Sequence, residues 1–385
     1  MARPAQDEFE ATTENAALVE LLRRRIEAEG AITFHDFMET VLYHPQQGYY
    51  ATRQPMGREG DYLTSPEVHP IFGALVAKQL LQLWELMGRP QPFDLVEQGA
   101  GTGLLARDIL RWASKREPEF CQAIRYRIVE ISPALRRRQE ETLSTADGEV
   151  EWLEELPEAI QGCLLSNELI DSFPVHRIVH RDRRLLEIYV SYRDGRFEEL
   201  LGLTSTERIA EYFADLGLWP GEGCVAEVNL RAIDWMAEVV RLRRGFVLTF
   251  DYGYPAEELY APWRRDGTLL CFYRHNPSHD PYARIGKQDM TAHVDFTTLM
   301  RVGRAHGLEV AGFTTQARFL ANLGIGAGVD AVARDSPGAL EEYYARRRAV
   351  QELIDPAGLG RIRVLAQRKG VLPADLWGFA EDEHT

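Results

Sequence analysis

The chain has 385 residues, with 44 Lys and Arg against 59 Asp and Glu, a formal charge of −15, and 45% hydrophobic residues. That apolar content supports a packed core and excludes global disorder, and the length suits roughly two to three ordinary domains or one α/β core carrying insertions. The negative surplus repels phosphate backbones and anionic lipid, so neither nucleic acid nor a membrane surface is an expected partner, and a cationic one fits better.

Cys121, Cys163, Cys224 and Cys271 are scattered without a C-x-x-C pair, which argues for reduced thiols over a zinc knuckle or a disulfide framework. No apolar run reaches the roughly 18 residues of a spanning helix. The first residues set Asp7, Glu8, Glu10 and Glu14 against Arg3 alone. Signal and transit peptides are therefore disfavoured, and the expected location is cytoplasmic.

Along the chain, Leu18, Leu21, Leu22 and Ile26 fall at helical spacing within 17–28. A second amphipathic stretch carries Phe34, Phe37, Met38, Val41 and Leu42 behind Thr33, a suitable N-cap. Residues 43–70 mix Pro45, Pro55, Gly57 and Gly60 with Tyr49, Tyr50 and Tyr62, and read as an ordered loop. A helix is predicted over 71–87, stopped by Gly88-Arg89-Pro90. Beyond Pro92, short apolar runs alternate with helical stretches, the pattern of βαβ units and a mostly parallel sheet. The predicted strands are 93–97, 126–131, 150–153, 163–166, 246–251, 309–314 and 362–366. Three insertions interrupt this core: about 177–203, where Asp194-Gly195 signals a β-hairpin; 254–296, too long for an ordinary connection; and 319–354, largely helical. The predicted division is an N-terminal helical region over 1–90 and a core over 91–385. Leu340, Tyr343 and Tyr344 form an apolar face on which two copies could pair, although core packing explains it more readily.

The first core strand runs into Glu97-Gln98-Gly99-Ala100-Gly101-Thr102-Gly103, followed by a helical pattern. Glycines allow a tight turn and close approach of a ligand, and the helix start offers unpaired N–H groups. A dinucleotide fingerprint would need a third glycine at position 104, where Leu104 stands. The spacing here is G-x-G-x-G preceded by an acid. That arrangement resembles the S-adenosylmethionine loop of class I methyltransferases, in which the acid acts on the cationic methionine end. The second strand ends at Glu130 and Ile131, and Glu130 lies 27 residues past Gly103, a suitable reach for a ribose diol.

The fourth strand closes with Asn167-Glu168-Leu169-Ile170-Asp171, at the edge where α/β sheets assemble ligand sites. Glu168 and Asp171 could hold a guanidinium by charge-assisted hydrogen bonds and orient a nitrogen lone pair toward a sulfonium methyl; helix capping is the alternative reading of both. The fifth strand ends in Asp251-Tyr252-Gly253-Tyr254, which could wall a substrate channel. The spacing of His275, His279 and His293 fits no zinc pattern, so hydrogen bonding or packing is expected and no metal.

With these residues in hand, the sequence resembles the MidA-type S-adenosylmethionine-dependent methyltransferases, relatives of the mitochondrial complex I assembly protein arginine methyltransferase. The resemblance covers nearly the whole chain. It rests on Phe37-Met38, Gly48-Tyr49-Tyr50, Gly60 to Glu67, Phe72-Gly73, Glu97 to Gly103, Asn167-Glu168 with Asp171 and Pro174, Asp251-Tyr252-Gly253, Gly267-Thr268-Leu269, and Asp289 to Phe296. It implies a Rossmann-like seven-stranded class I fold of order 3-2-1-4-5-7-6, with the N-terminal segment as a lid over the cofactor. It further implies that Glu97, Gly99, Ala100, Gly101 and Gly103 hold the methionine end, and Glu130 and Ile131 the nucleoside. Tyr50, Asp61 and Thr64 would complete the lid, while Asn167, Glu168, Asp171 and Asp251 would face the acceptor. By the same resemblance the acceptor is a protein arginine, with a small metabolite, or a non-catalytic assembly role, as alternatives.

Overall fold

A computed structural model describes residues 14–52, 60–326 and 339–380, with residues 339 and 340 described by backbone alone. The acidic stretch before residue 14, Pro55, Gly57 and the side chain of Leu340 lie outside the described residues. The chain divides into two compact units. One takes the described parts of Leu63–Leu169, Trp235–Gly253 and Leu299–Thr385; the other takes those of Met1–Tyr62, Ile170–Asp234 and Tyr254–Thr298.

The first unit is built on a seven-stranded sheet. In chain order its strands are Phe93–Gln98, Ile124–Val129, Val150–Leu153, Ile160–Asn167, Leu242–Asp251, Glu309–Thr315 and Arg363–Lys369. Their spatial order is 3-2-1-4-5-7-6, as expected. The first five run parallel, and the seventh lies antiparallel to both the fifth and the sixth. The fourth strand, buried at seven of its eight positions, reads as a near-continuous apolar run because parallel strands are covered on both faces. The helix Ile71–Leu86 packs Phe72, Leu75, Val76, Leu80 and Leu83 into the same core as Leu105, Ile109 and Leu110 of the helix Leu104–Arg116. Gly73 permits their close approach, since a Cβ there would stand 2.6 Å from the Cβ of Asp108.

The expected strands all form, but three begin earlier than their apolar runs suggest: the second at Ile124, the fourth at Ile160 and the fifth at Leu242; the second also ends at Val129, so Glu130 and Ile131 lie just beyond it. Residues 242–244, Leu-Arg-Arg, carry charge yet still pair with Ile160 and Gln161 through an irregular register. Sheet pairing overrides local polarity there.

The second unit holds a five-stranded sheet. Its hairpin, Arg184–Arg193 with Arg196–Leu203, turns at Asp194 and Gly195. Both turn residues have positive φ, 53° and 80°, as a two-residue primed turn requires. The hairpin's first strand also pairs with His176–Arg181 and with Ile32–Thr33, and Val225–Val228 adds to the far side of His176–Arg181. The helices Ala16–Glu29 and Phe34–Tyr43 bury Leu18, Leu22, Ile26, Phe34, Phe37 and Met38. Thr33 caps the second of these by accepting the N–H of Asp36 at 3.0 Å. The 254–296 stretch forms a three-stranded sheet of its own, Leu270–Tyr273 between Asn276–Ser278 and Asp289–Thr291.

Candidate functional site

At the end of the first sheet strand, Gly99, Gly101 and Gly103 all adopt positive φ, and Gly103 opens the helix Leu104–Arg116. Two demands meet at Gly99. Its φ of 73° disfavours any side chain, and a Cβ would stand 2.7 Å from Cδ1 of Leu169. Ala100 is buried and its carbonyl accepts the N–H of Gly103 at 2.8 Å, closing the turn.

Glu97 is buried and accepts the Tyr126 hydroxyl at 2.6 Å. Burial pushes its carboxyl up to about 7, partly offset by that bond. Both oxygens of Glu130 are engaged: Oε1 accepts the N–H of Ser132 at 2.7 Å, and Oε2 accepts Nε2 of Gln139 at 2.9 Å. The same Gln139 nitrogen donates to the Gly101 carbonyl at 3.0 Å, tying the glycine loop to the second strand. Burial raises the Glu130 carboxyl as well. Beside it Ile131 is 66% exposed, an apolar side chain presented next to a fixed acid. A nucleoside fits this arrangement: a backbone turn stripped of side chains, an acid at ribose reach and an exposed apolar face.

The fourth strand ends at Asn167, and Glu168 follows with φ 50°, a left-handed value uncommon outside glycine. The fifth strand holds this strained turn: the N–H of Glu168 donates to the Phe250 carbonyl at 2.8 Å, and the N–H of Leu169 donates to Oδ2 of Asp251 at 3.2 Å. The other oxygen of Asp251 accepts the N–H of Tyr252 at 2.8 Å. Glu168 Oε1 receives two donors, the N–H of Ser65 at 3.2 Å and Nδ2 of Asn167 at 3.1 Å. Burial raises its carboxyl to about 8, those donors lower it, and the carboxylates of Asp251 and Glu67 raise it further. Asn167 Oδ1 is buried with no hydrogen-bond partner among the described residues. Such an acceptor is costly unless a ligand supplies the donor. Thr64, next to Ser65, begins the short helix Ser65–Val68 in a capping box with Glu67.

Tyr50, Asp61 and Asp171 belong to the second unit. Tyr50 donates to Oδ1 of Asp289 at 2.7 Å, and Tyr49 to Oδ2 of Asp61 at 2.8 Å. Asp61 also accepts the N–H of Arg274 through Oδ1 and that of His275 through its carbonyl, each at 2.8 Å. Burial pushes the Asp289 carboxyl up to about 6. Asp171 is buried, and its carbonyl accepts the N–H of Ala292 at 2.8 Å. The histidines take local roles: His279 lies 3.4 Å from the Leu269 carbonyl, and the His293 ring packs edge-on to Tyr254. Among the described residues no group of three or more His, Cys, Asp or Glu is placed to hold a metal ion, and no helix is long and apolar enough to cross a membrane. The four cysteines are free thiols.

Sequence reasoning missed Ser65, Gln139, Tyr126 and Asp289 as partners of the site residues. For Tyr126 the strand register itself carried a signal of the pairing. Tyr126 pairs in register with Leu95, two residues before Glu97, and so shares the face of Glu97 on the neighbouring strand.

The sheet order and the glycine turn define a class I methyltransferase architecture. Residues 75–314 match the family described as "Putative S-adenosyl-L-methionine-dependent methyltransferase". The chain is 31% identical to the Drosophila melanogaster "Protein arginine methyltransferase NDUFAF7 homolog, mitochondrial", over 97% of this chain and 90% of that protein. It is 30% identical to the Mus musculus "Protein arginine methyltransferase NDUFAF7, mitochondrial", over 79% of this chain and 73% of that one. A crystal structure from Burkholderia thailandensis bound to S-adenosyl-homocysteine is 33% identical, with a TM-score of 0.86, covering 100% of this chain and 99% of that one. A native structure from the same organism is 34% identical with a TM-score of 0.84.

The chain belongs to this family of S-adenosylmethionine-dependent methyltransferases, of the MidA type. It is an enzyme, and S-adenosylmethionine is its cofactor. The expected cytoplasmic location does not stand: the curated relatives are named as mitochondrial proteins, which points away from it. Charge and an acidic N-terminal stretch are weak guides to compartment, because targeting depends on a segment whose pattern need not extend into the folded enzyme.

Proposed function

We propose that this enzyme transfers methyl to a guanidinium nitrogen of an arginine in a protein. The observation that carries the reading is the similarity, along 97% of the chain, to a relative named as a protein arginine methyltransferase. The turn at 167–168 supports it with suitable chemistry.

S-adenosylmethionine supplies, when bound, an electrophilic methyl group on a sulfonium. Gly99, Ala100, Gly101 and Gly103 line the turn that holds the methionine end, with Glu97 supplying negative charge behind it. Glu130 would meet the ribose hydroxyls and the exposed Ile131 would supply apolar surface for the base. Thr64 stands next to Ser65, whose N–H meets Glu168. At the acceptor end, Asn167 Oδ1 and Glu168 Oε2, neither of which accepts a hydrogen bond among the described residues, would accept guanidinium N–H groups. These contacts align one nitrogen for in-line attack, which methyl transfer needs more than acid catalysis. The approaching cation drives Glu168 toward its carboxylate, which then takes the proton that the methylated nitrogen releases. Asp251, both of whose oxygens accept backbone N–H groups, holds the turn that presents Glu168.

The test is transfer of labelled methyl from S-adenosylmethionine into whole-cell lysate, followed by acid hydrolysis and amino-acid analysis. Label in methylated arginine is expected; label confined to small solutes would replace this reading with a metabolite methyltransferase.

A further inference from the structure

We propose that Ser65 and Gln316 are positioning residues for Glu168, joined in a buried relay that reaches the candidate acceptor site from the C-terminal helix Ala339–Ile354. The proposal rests on the reading of Glu168 as the group that meets the acceptor nitrogen.

The relay is continuous. Nε2 of Gln316 donates to the Leu353 carbonyl at 3.0 Å, the Ser65 hydroxyl donates to Oε1 of Gln316 at 2.9 Å, and the Ser65 N–H donates to Oε1 of Glu168. Ser65 and Gln316 are both fully buried. The Leu353 carbonyl can only accept, so the amide nitrogen of Gln316 must face it and the amide oxygen must face Ser65. In that bond the Ser65 hydroxyl is therefore the donor.

Helix capping does not account for either side chain. Thr64 and Glu67 form the capping box of the short helix that Ser65 begins, and Thr315 caps the helix Gln316–Asn322 by accepting the N–H of Arg318 at 3.3 Å. Ser65 and Gln316 are each one position inside a helix already capped. Their side chains serve each other across 251 residues of sequence. The outcome at the site is asymmetry: both donors fall on Oε1 of Glu168, and Oε2 accepts no hydrogen bond among the described residues. One oxygen is anchored and the other is left for the acceptor. The charged groups facing Glu168 are Asp251, from the fifth strand, and Glu67, from the short helix.

The test uses the full chain labelled with carbonyl carbon-13 in its glutamate side chains, with the Glu168 resonance assigned by its loss in Glu168→Gln. Ser65→Pro removes the N–H at the first position of a helix, where proline is accepted, after a Thr64 that is already extended at φ −97° and ψ 160°. Gln316→Leu removes the anchor of the hydroxyl. Folded Ser65→Pro, judged by binding of S-adenosyl-homocysteine, should raise the titration midpoint of Glu168 by at least half a pH unit, because a lost donor disfavours the carboxylate, and Gln316→Leu should raise it by a smaller step, because Ser65 without its anchor no longer holds its N–H on Oε1. Ser65→Thr, which keeps both donors, should leave the midpoint in place. Where either variant fails to fold, Ser65→Ala removes the hydroxyl alone and is judged by the same midpoint. An unchanged midpoint in the folded variants overturns the relay. Methyl transfer that survives Glu168→Gln would instead overturn the role of Glu168 while leaving the titration result intact.

Discussion

Asp251, the last residue of the fifth strand, grips Leu169, just past the end of the fourth, by its backbone N–H at 3.2 Å. The bond matters because Glu168, between Asn167 and Leu169, sits in a left-handed conformation that does not persist without restraint. Asp251→Asn keeps one acceptor oxygen and turns an N–H toward one of the two backbone donors. It should cost about 1–3 kcal/mol in chemical denaturation and slow methyl transfer, with S-adenosyl-homocysteine still bound. A stable, fully active variant would mean that the turn is held by the Phe250 carbonyl alone.

Gly101→Val should abolish cofactor binding. The position has φ 53° in the turn proposed to hold the cofactor, so a β-branched side chain is strained there and would stand in the way. Isothermal titration with S-adenosylmethionine should show affinity reduced at least tenfold, and retained affinity would mean the loop does not contact the cofactor.

Glu97 should release a proton when S-adenosylmethionine binds. Burial holds its carboxyl up to about 7, so much of it is protonated in the free enzyme at pH 6.5, and a cationic ligand favours the carboxylate. Titrations in buffers of different ionisation enthalpy should reveal the release, with affinity rising as pH climbs toward 7. Glu97→Gln should remove it. The same shift affects folding: between the unfolded value near 4.3 and about 7, the native state keeps a proton that the unfolded chain has lost. Stability contributed by this group is therefore full at low pH and lost as pH rises through that window.

Glu168 should govern the pH dependence of the reaction. Its carboxylate form prevails only above about 8 in the free enzyme. On an identified protein acceptor, kcat/KM should climb toward a plateau above that pH. Glu168→Gln should flatten the limb and lower the rate by about 10²-fold or more. A profile flat from pH 6 to 9 in the parent enzyme would remove the group from the chemistry.

Gly195→Ala offers a stability change free of contacts. At φ 80° the added methyl meets nothing within 4 Å, so the penalty is conformational alone. A loss of about 1 kcal/mol is expected by chemical denaturation, with methyl transfer unchanged.

The seven-stranded sheet was legible because each buried parallel strand is a short apolar run between turn signals, as in Cys163–Ser166. The placement of Glu97, Glu130 and the three glycines was legible because it depends on a strand–turn–helix unit. The five-stranded sheet was legible only at Asp194-Gly195. Its strands Ile32–Thr33 and Val225–Val228 are too short to carry a period, and they join by pairing over long sequence separations. Ser65 stood within the Gly60–Glu67 motif, but its pairing with Gln316 left no pattern, since a single hydroxyl and a single amide reveal nothing of each other until the fold brings them to 2.9 Å. Asp289, the acceptor for Tyr50, stood in a motif of evident polarity, but 239 residues separate the pair.

The interleaving of the two units has a consequence for synthesis. Their six stretches alternate along the chain, which passes from one unit to the other five times. On the ribosome, the fifth sheet strand emerges more than a hundred residues before Arg363–Lys369, the partner that covers its outer edge. Until then that edge is a bare template for stray pairing. A nascent chain of this protein should therefore depend on holding chaperones late in translation, and damage to the last strand should be read out as aggregation rather than as a folded enzyme of low activity.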